Sequence, residues 1–286
     1  MKTIPVTTWS MILAFSTIQL LWAQNIKTVS SWSTDKIFDT PESIIPHCTK
    51  DIVFVSNLGG NPSEKDGNGF ISTLSKKGTP INLQWVTGLN APKGMAIMGN
   101  TLYVSDIDVL VEIDIETASI RQKYAASPGK FLNDVAVSPI GIVYVSDMQD
   151  DCIYKLENNH FTKWMSSPKL KKVNGLTVVK NFLYAGTANS IQMIDLSTES
   201  ITTWVDNTGS IDGLEPDDEG GFIYSDWAGK TWHADKNRTI RLLLDTTHDK
   251  INAADIGIDK ITKMLYIPTF FDNRIMVYHL VPYVQE

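Results

Sequence analysis

The chain is 286 residues long and carries 25 Lys and Arg against 32 Asp and Glu, a formal net charge of −7. No basic run interrupts this acidic balance, so nucleic acid is not expected as a partner.

The first element is a targeting segment. Lys2 is followed by the apolar run Met11-Ile12-Leu13-Ala14-Phe15 and then Leu20-Leu21-Trp22-Ala23. This pattern reads as a secretory signal over residues 1–24, cleaved after Ala23 or Gln24. It implies a secreted or periplasmic protein. The run is broken by Ser16, Thr17 and Gln19 and is too short to span a bilayer well. No other stretch approaches membrane length, so the mature chain is expected to carry no membrane span.

Next comes a lone strand, Val29-Ser30-Ser31-Trp32, and then a unit that recurs six times. Each unit opens on a short turn leading into an apolar run. The openings are Pro41-Glu42-Ser43-Ile44, Pro92-Lys93-Gly94-Met95, Leu132-Asn133-Asp134-Val135, Val173-Asn174-Gly175-Leu176, Ile211-Asp212-Gly213-Leu214 and Ala253-Ala254-Asp255-Ile256. Their second residues are 51, 40, 41, 38 and 42 positions apart. A second strand follows each opening, as in Val53-Phe54-Val55-Ser56-Asn57, Leu102-Tyr103-Val104-Ser105-Asp106 and Val143-Tyr144-Val145-Ser146-Asp147. A third follows, and a fourth such as Phe161-Thr162-Lys163-Trp164-Met165. Several short strands per repeat of about forty residues are the signature of propeller blades.

The expected fold is therefore all-β: one six-bladed propeller over residues 25–286, with four strands per blade. The fourth strand appears only five times after its own blade. The N-terminal Val29–Trp32 strand supplies the sixth copy and closes the ring, which leaves only short, protected edges. The long first step is explained by an insertion, Gly59 to Asn68, whose composition is turn chemistry. The two cysteines, Cys48 and Cys152, fall in blades one and three, which are not neighbours, so both are expected to be free and buried.

In a propeller the innermost strands line the central channel, and the residues that open them ring one mouth. The six occupants are Glu42, Lys93, Asn133, Asn174, Asp212 and Ala254. Four offer oxygen ligands, which suits one hard divalent cation, Ca²⁺ foremost, with Mg²⁺, Mn²⁺ or Zn²⁺ as alternatives. Any one of the four could be a turn former, but Glu42 is a poor turn residue and the shared phase is harder to dismiss. The ends of the second strands add Asn57, Asp106, Asp147 and Asp226, with Trp227 beside the last, giving an acidic, partly aromatic mouth. Asp134 and Asp255 read as side-chain braces for backbone amides. None of the five histidines falls on a ring position, and His233 reads as a packing or surface residue.

The phased Glu42, Asn133-Asp134, Asn174-Gly175 and Asp212-Gly213 resemble the regucalcin/gluconolactonase (senescence marker protein) family of six-bladed propellers. The resemblance implies that Glu42, Asn133, Asn174 and Asp212 hold the cation and that Asp212 is also the general base. It implies hydrolysis of a lactone or similar small ester. Sugar-lactone members often place arginine two residues before the first asparagine; Phe131 stands there, which speaks against a sugar substrate. Lys93, Asp106, Phe131, Asp147, Asp226 and Trp227 are the candidate substrate contacts, for a small molecule acted on by a monomer. The alternative is a non-catalytic propeller that binds a small ligand or a protein at the mouth, for which Phe270-Phe271 would form a recognition surface.

Overall fold

The computed structural model describes residues 26–283, so the expected signal segment lies outside the described residues. Six antiparallel four-stranded sheets form the propeller. The chain begins with β1 (Ile26–Ser33). Blade 1 is β2 (Pro41–Pro46), β3 (Val53–Asn57), β4 (Gly69–Leu74) and β5 (Pro80–Leu89). Blade 2 is β6 (Pro92–Met98), β7 (Thr101–Asp106), β8 (Val109–Asp114) and β9 (Ser119–Ala125). Blade 3 is β10 (Leu132–Val137), β11 (Val143–Asp147), β12 (Cys152–Glu157) and β13 (His160–Ser166). Blade 4 is β14 (Leu176–Val179), β15 (Phe182–Gly186), β16 (Ser190–Asp195) and β17 (Ile201–Asp206). Blade 5 is β18 (Leu214–Pro216), β19 (Phe222–Asp226), β20 (Lys230–Ala234) and β21 (Ile240–Asp245). Blade 6 is β22 (Gly257–Asp259), β23 (Met264–Pro268) and β24 (Ile275–Pro282), completed by β1.

The ring closes as the sequence implies. β1 pairs antiparallel with β24 from Ile26 opposite Pro282 to Ser33 opposite Met276. Trp32 anchors it, edge-on to Tyr266 at 6.1 Å between ring centroids. Strand composition follows position in the blade. β3 and β11 are buried along their whole length because neighbouring blades cover both faces. Each buried Val there contributes roughly 2 kcal/mol relative to exposure. The outermost β9 is nearly all exposed, and its sequence is correspondingly polar. Among the described residues, no helix is long and apolar enough to cross a membrane.

Cys48 corrects an expectation. Cys152 is buried, but Cys48 is exposed; both are free. Cys48 sits in the turn beyond β2, where the amides of Thr49 and Lys50 donate to His47 Nδ1 and the chain leaves the sheet.

The inner strands carry a shared irregularity. Register slips between Pro41 and Ser43, between Pro92 and Met95, and between Leu132 and Val135. In blade 4, Asn174 N–H donates to Gly186 O while Gly186 N–H donates to Gly175 O, so two residues face one. In blade 5, Asp212 N–H donates to Ser225 O while Ser225 N–H donates to Gly213 O. These are β-bulges, which re-aim a side chain and end regular pairing. They explain why β14 and β18 begin only after the Asn174-Gly175 and Asp212-Gly213 openings.

Candidate functional site

The bulges are what bring the ring together. Glu42, Lys93, Asn133, Asn174 and Asp212, from five different blades, all line one cavity of about 650 Å³. The sixth ring residue, Ala254, is buried in a cluster with Leu58, Ala91, Ile107 and Phe270. The repeated serine of the second strand fixes the bulge in blades 1, 3 and 5. Ser56 Oγ accepts from Ser43 N–H, Ser146 Oγ from Asp134 N–H and Ser225 Oγ from Gly213 N–H, each at 2.9 Å. Ser225 also donates to Ala254 O at 2.7 Å, and Ser105 donates to Asn133 O, so these hydroxyls tie one blade to the next. Gly94 and Gly213 are required by the same closeness. A Cβ at Gly94 would lie 2.4 Å from Asp134 Cα, and one at Gly213 would lie 2.4 Å from Ile256 N.

The floor of the cavity is made of buried oxygen donors. Glu42 is 5 % exposed, and its Oε2 has no hydrogen-bond partner. Asn174 Nδ2 donates to Asp212 Oδ1 at 2.6 Å. Buried acceptors are ordinarily satisfied, so an orphaned carboxylate oxygen calls for an explanation. Burial pushes the Glu42 carboxyl well above the usual range, with Asp212 and Asp255 adding to the shift and Lys93 opposing it. Burial raises Asp212 to about 7, against the hydrogen bond from Asn174. One orphaned carboxylate oxygen, in a donor set of two carboxylates and two carboxamides without thiolate or imidazole, fits a hard divalent cation.

The walls are apolar. Phe131, Met148, Ile211, Trp227, Phe270 and Phe271 line the cavity; of these, Trp227, Phe270 and Phe271 form one aromatic cluster. The last three pack edge to face, with centroids 4.8 to 5.8 Å apart. Phe271 and Trp227 are 67 % and 46 % exposed, so the wall continues to the mouth.

Of the six candidate substrate contacts, Lys93, Phe131, Asp226 and Trp227 line the cavity, while Asp106 and Asp147 do not reach it. Asp106 accepts the amides of Asn90 and Ala91, and Asp147 those of Lys130, Gln149 and Asp150. Both are fully buried loop braces. Asp226 Oδ1 is similarly held by the amides of Gly229 and Lys230. Asn57 accepts Asp39 N–H and bonds Ser72. Asp134 braces backbone amides as expected, accepting Val135 N–H and, from the next blade, Leu176 N–H, whereas Asp255 accepts the Ser43 hydroxyl rather than an amide.

Glu215 was not singled out by the sequence. It joins Asp134 and Asp255 around a smaller cavity of about 190 Å³ in the channel, and burial raises its carboxyl to about 7. The only signal was a Glu one step past a ring opening. Asp147, Asp150 and Cys152 form another close group. Asp150 is already paired with Lys130 and Lys163, however, and burial pushes the Cys152 thiol up to about 11. His233 is buried and bonds Asp217 through Nε2 at 2.8 Å, far from the ring opening of its blade, as a packing residue would.

No family model matches the chain, and no curated protein matches it in sequence. Among solved structures it is similar to streptogramin B lyase, with a TM-score of 0.59 and 13 % identity over 90 % of this chain and 97 % of that one. The likeness establishes a shared propeller fold.

Proposed function

We propose that the chain is an exported, divalent-cation-dependent hydrolase that opens a lactone or similar small ester in the 650 Å³ cavity. The observation that carries this reading is the orphaned Oε2 of Glu42, buried in a cavity it shares with Asn133, Asn174 and Asp212. These four would hold the cation, Ca²⁺ being the best match to an all-oxygen set. When bound, it would polarise the carbonyl oxygen and stabilise the charge that develops there.

The protein's own residues supply the rest. Asp212 Oδ2 takes the proton of the attacking water as the water oxygen adds to the acyl carbon, and returns it to the ring oxygen as the ring C–O bond breaks, so that a hydroxy acid leaves and the carboxylate is restored. Asn174 orients that carboxylate through its bond to Oδ1. Burial lifts Asp212 to about 7, which favours a base working near neutral pH, while a bound cation draws it down again. Phe131 and the Trp227–Phe270–Phe271 cluster exclude water and favour an apolar acyl or ring substituent over a polyhydroxylated one. The test is a panel of aliphatic and aromatic lactones with Ca²⁺, Mg²⁺, Mn²⁺ and Zn²⁺. Turnover that chelation abolishes supports the proposal; no turnover with any metal overturns it.

The exposed Trp227 and Phe271 favour a second reading, a propeller that binds an apolar ligand without chemistry. Saturable binding of the same lactones with no turnover would select it.

A further inference from the structure

Lys93 is the ring residue that the cation reading leaves unused. It is 1 % exposed, one of the largest fully buried side chains of the protein. Its Nζ donates to Ala91 O and to Pro62 O, both at 3.0 Å. The Phe131 ring lies over it, 4.5 Å from ammonium to centroid. Among the described residues no carboxylate lies within 4.0 Å of it, although Lys93 and Glu42 line the same cavity.

A lysine ammonium has three N–H donors, and here two meet carbonyls while the third has no hydrogen-bond acceptor among the described residues. Burying a charge with no carboxylate in contact is costly, Glu42 and Asp106 offsetting it only from a distance, and methionine would fill the same volume without that cost. The protein instead spends an insertion on it: Pro62 belongs to the loop between β3 and β4 that breaks the forty-residue period. Pro62, Lys93 and Phe131 meet on the wall of the cavity that the Trp227, Phe270 and Phe271 rings also line.

We infer that Lys93 is an anion anchor, and that the cavity takes a ligand with a carboxylate head and an apolar or aromatic body. This rests on the reading of the cavity as the functional site. For a hydrolase, the carboxylate would be a group set apart from the ester that is opened. The third N–H of Lys93 meets the head, while the aromatic wall covers the body. Lys93 is thus a specificity residue, distinct from the oxygen donors of the floor.

The test compares 4-phenylbutyrate with its neutral amide, 4-phenylbutyramide. Binding is followed by calorimetry and by Trp227 fluorescence at pH 6.5, first in chelator and then with millimolar Ca²⁺. The carboxylate is expected to bind at least about tenfold more tightly than the amide, as a charge-assisted hydrogen bond requires. Lys93→Gln should weaken the carboxylate alone until the two probes match, and Trp227→Ala should weaken both. If Lys93→Gln fails to fold, Lys93→Met replaces it; if both fail, the comparison in the parent protein decides. Equal binding, no binding of either probe, or a preference that survives in Lys93→Gln overturns the anchor. A preference that appears only with Ca²⁺ and survives in Lys93→Gln does so while leaving the cation reading intact. A preference in chelator that vanishes in Lys93→Gln upholds the anchor even if no cation binds.

Discussion

Asn174 Nδ2 donates to Asp212 Oδ1 at 2.6 Å across the step from blade 4 to blade 5. Both side chains are about 6 % exposed, and each stands on a bulge of its inner strand. The contact links two repeats through their ring positions and engages one Asp212 oxygen, Oδ1. Asp212→Asn should keep the fold and lose turnover by a factor of roughly 10² or more, the usual worth of a positioned base. Glu42→Gln should weaken cation binding first, with activity partly recovered by excess cation. Steady-state kinetics on both variants across a cation titration separates the two roles. Full activity of Asp212→Asn at saturating cation would require a different base.

Closure of the ring depends on β1, a strand from the far end of the chain. Deleting residues 26–33 leaves β24 with an unpaired edge and removes the Trp32–Tyr266 contact. Aggregation, or a fall in melting temperature of about 10 °C or more, is expected on calorimetry. The milder Trp32→Ala should cost roughly 2 kcal/mol, less than a fully buried aromatic, because Trp32 is only partly covered. A deletion variant as soluble and stable as the parent would mean that the ring is held elsewhere.

Gly213→Ala places a methyl 2.4 Å from Ile256 N and 2.9 Å from Asp255 Cα. Backbone cannot yield as a side chain can, so blades 5 and 6 must part. A loss of about 1–3 kcal/mol is expected in denaturant unfolding, with weaker cation binding because Asp212 is the preceding residue. An unchanged unfolding midpoint would show that the inner strands are more loosely packed than this.

Much of this was legible in the sequence because the repeat is. A forty-residue period, a Ser-Asp ending on the second strands and a lone N-terminal strand lead directly to six blades and their closure. The ring was legible for the same reason: residues at one phase of a repeat must meet on the axis. What stayed hidden depends on side-chain direction. Asp106 and Asp147 occupy the same motif position as Asp226, yet of the three it is Asp226 that reaches the cavity. The other two accept amides of the segment leading into an inner strand, from Asn90 and Ala91 and from Lys130, whereas the amides of Gly229 and Lys230 that hold Asp226 follow it. The role of the insertion was equally invisible. Turn composition gives no hint that Pro62 O would accept from Lys93. Cys48 came out exposed because the sequence shows which blade it belongs to but not that it lies in a turn.

Acid should stabilise the cation-free protein. Burial raises the carboxyls of Glu42, Asp134, Asp212, Glu215 and Asp255, with Asp212 and Glu215 near 7. The folded state therefore holds more protons than the unfolded chain between about pH 4 and 7, and stability falls as pH rises through that window. His47, whose pKa burial lowers, works the other way below about 6.5, but it is one group against five. In chelator, the melting temperature should fall from pH 5 to pH 7.5, and Glu215→Gln should reduce the slope. A melting temperature that climbs over that range would contradict the buried acidic axis.

The most direct test of the cation ring is the melting temperature of the chain lacking residues 1–24, in chelator and across a titration of Ca²⁺, Mg²⁺ and Mn²⁺ at pH 7.5. A cation held only by the folded ring raises stability in proportion to the logarithm of its concentration once above its dissociation constant. That rise is expected for the parent and should be lost in the Glu42→Gln, Asp212→Asn double variant. An identical melting temperature in chelator and in millimolar concentrations of each cation would contradict a metal site at Glu42, Asn133, Asn174 and Asp212.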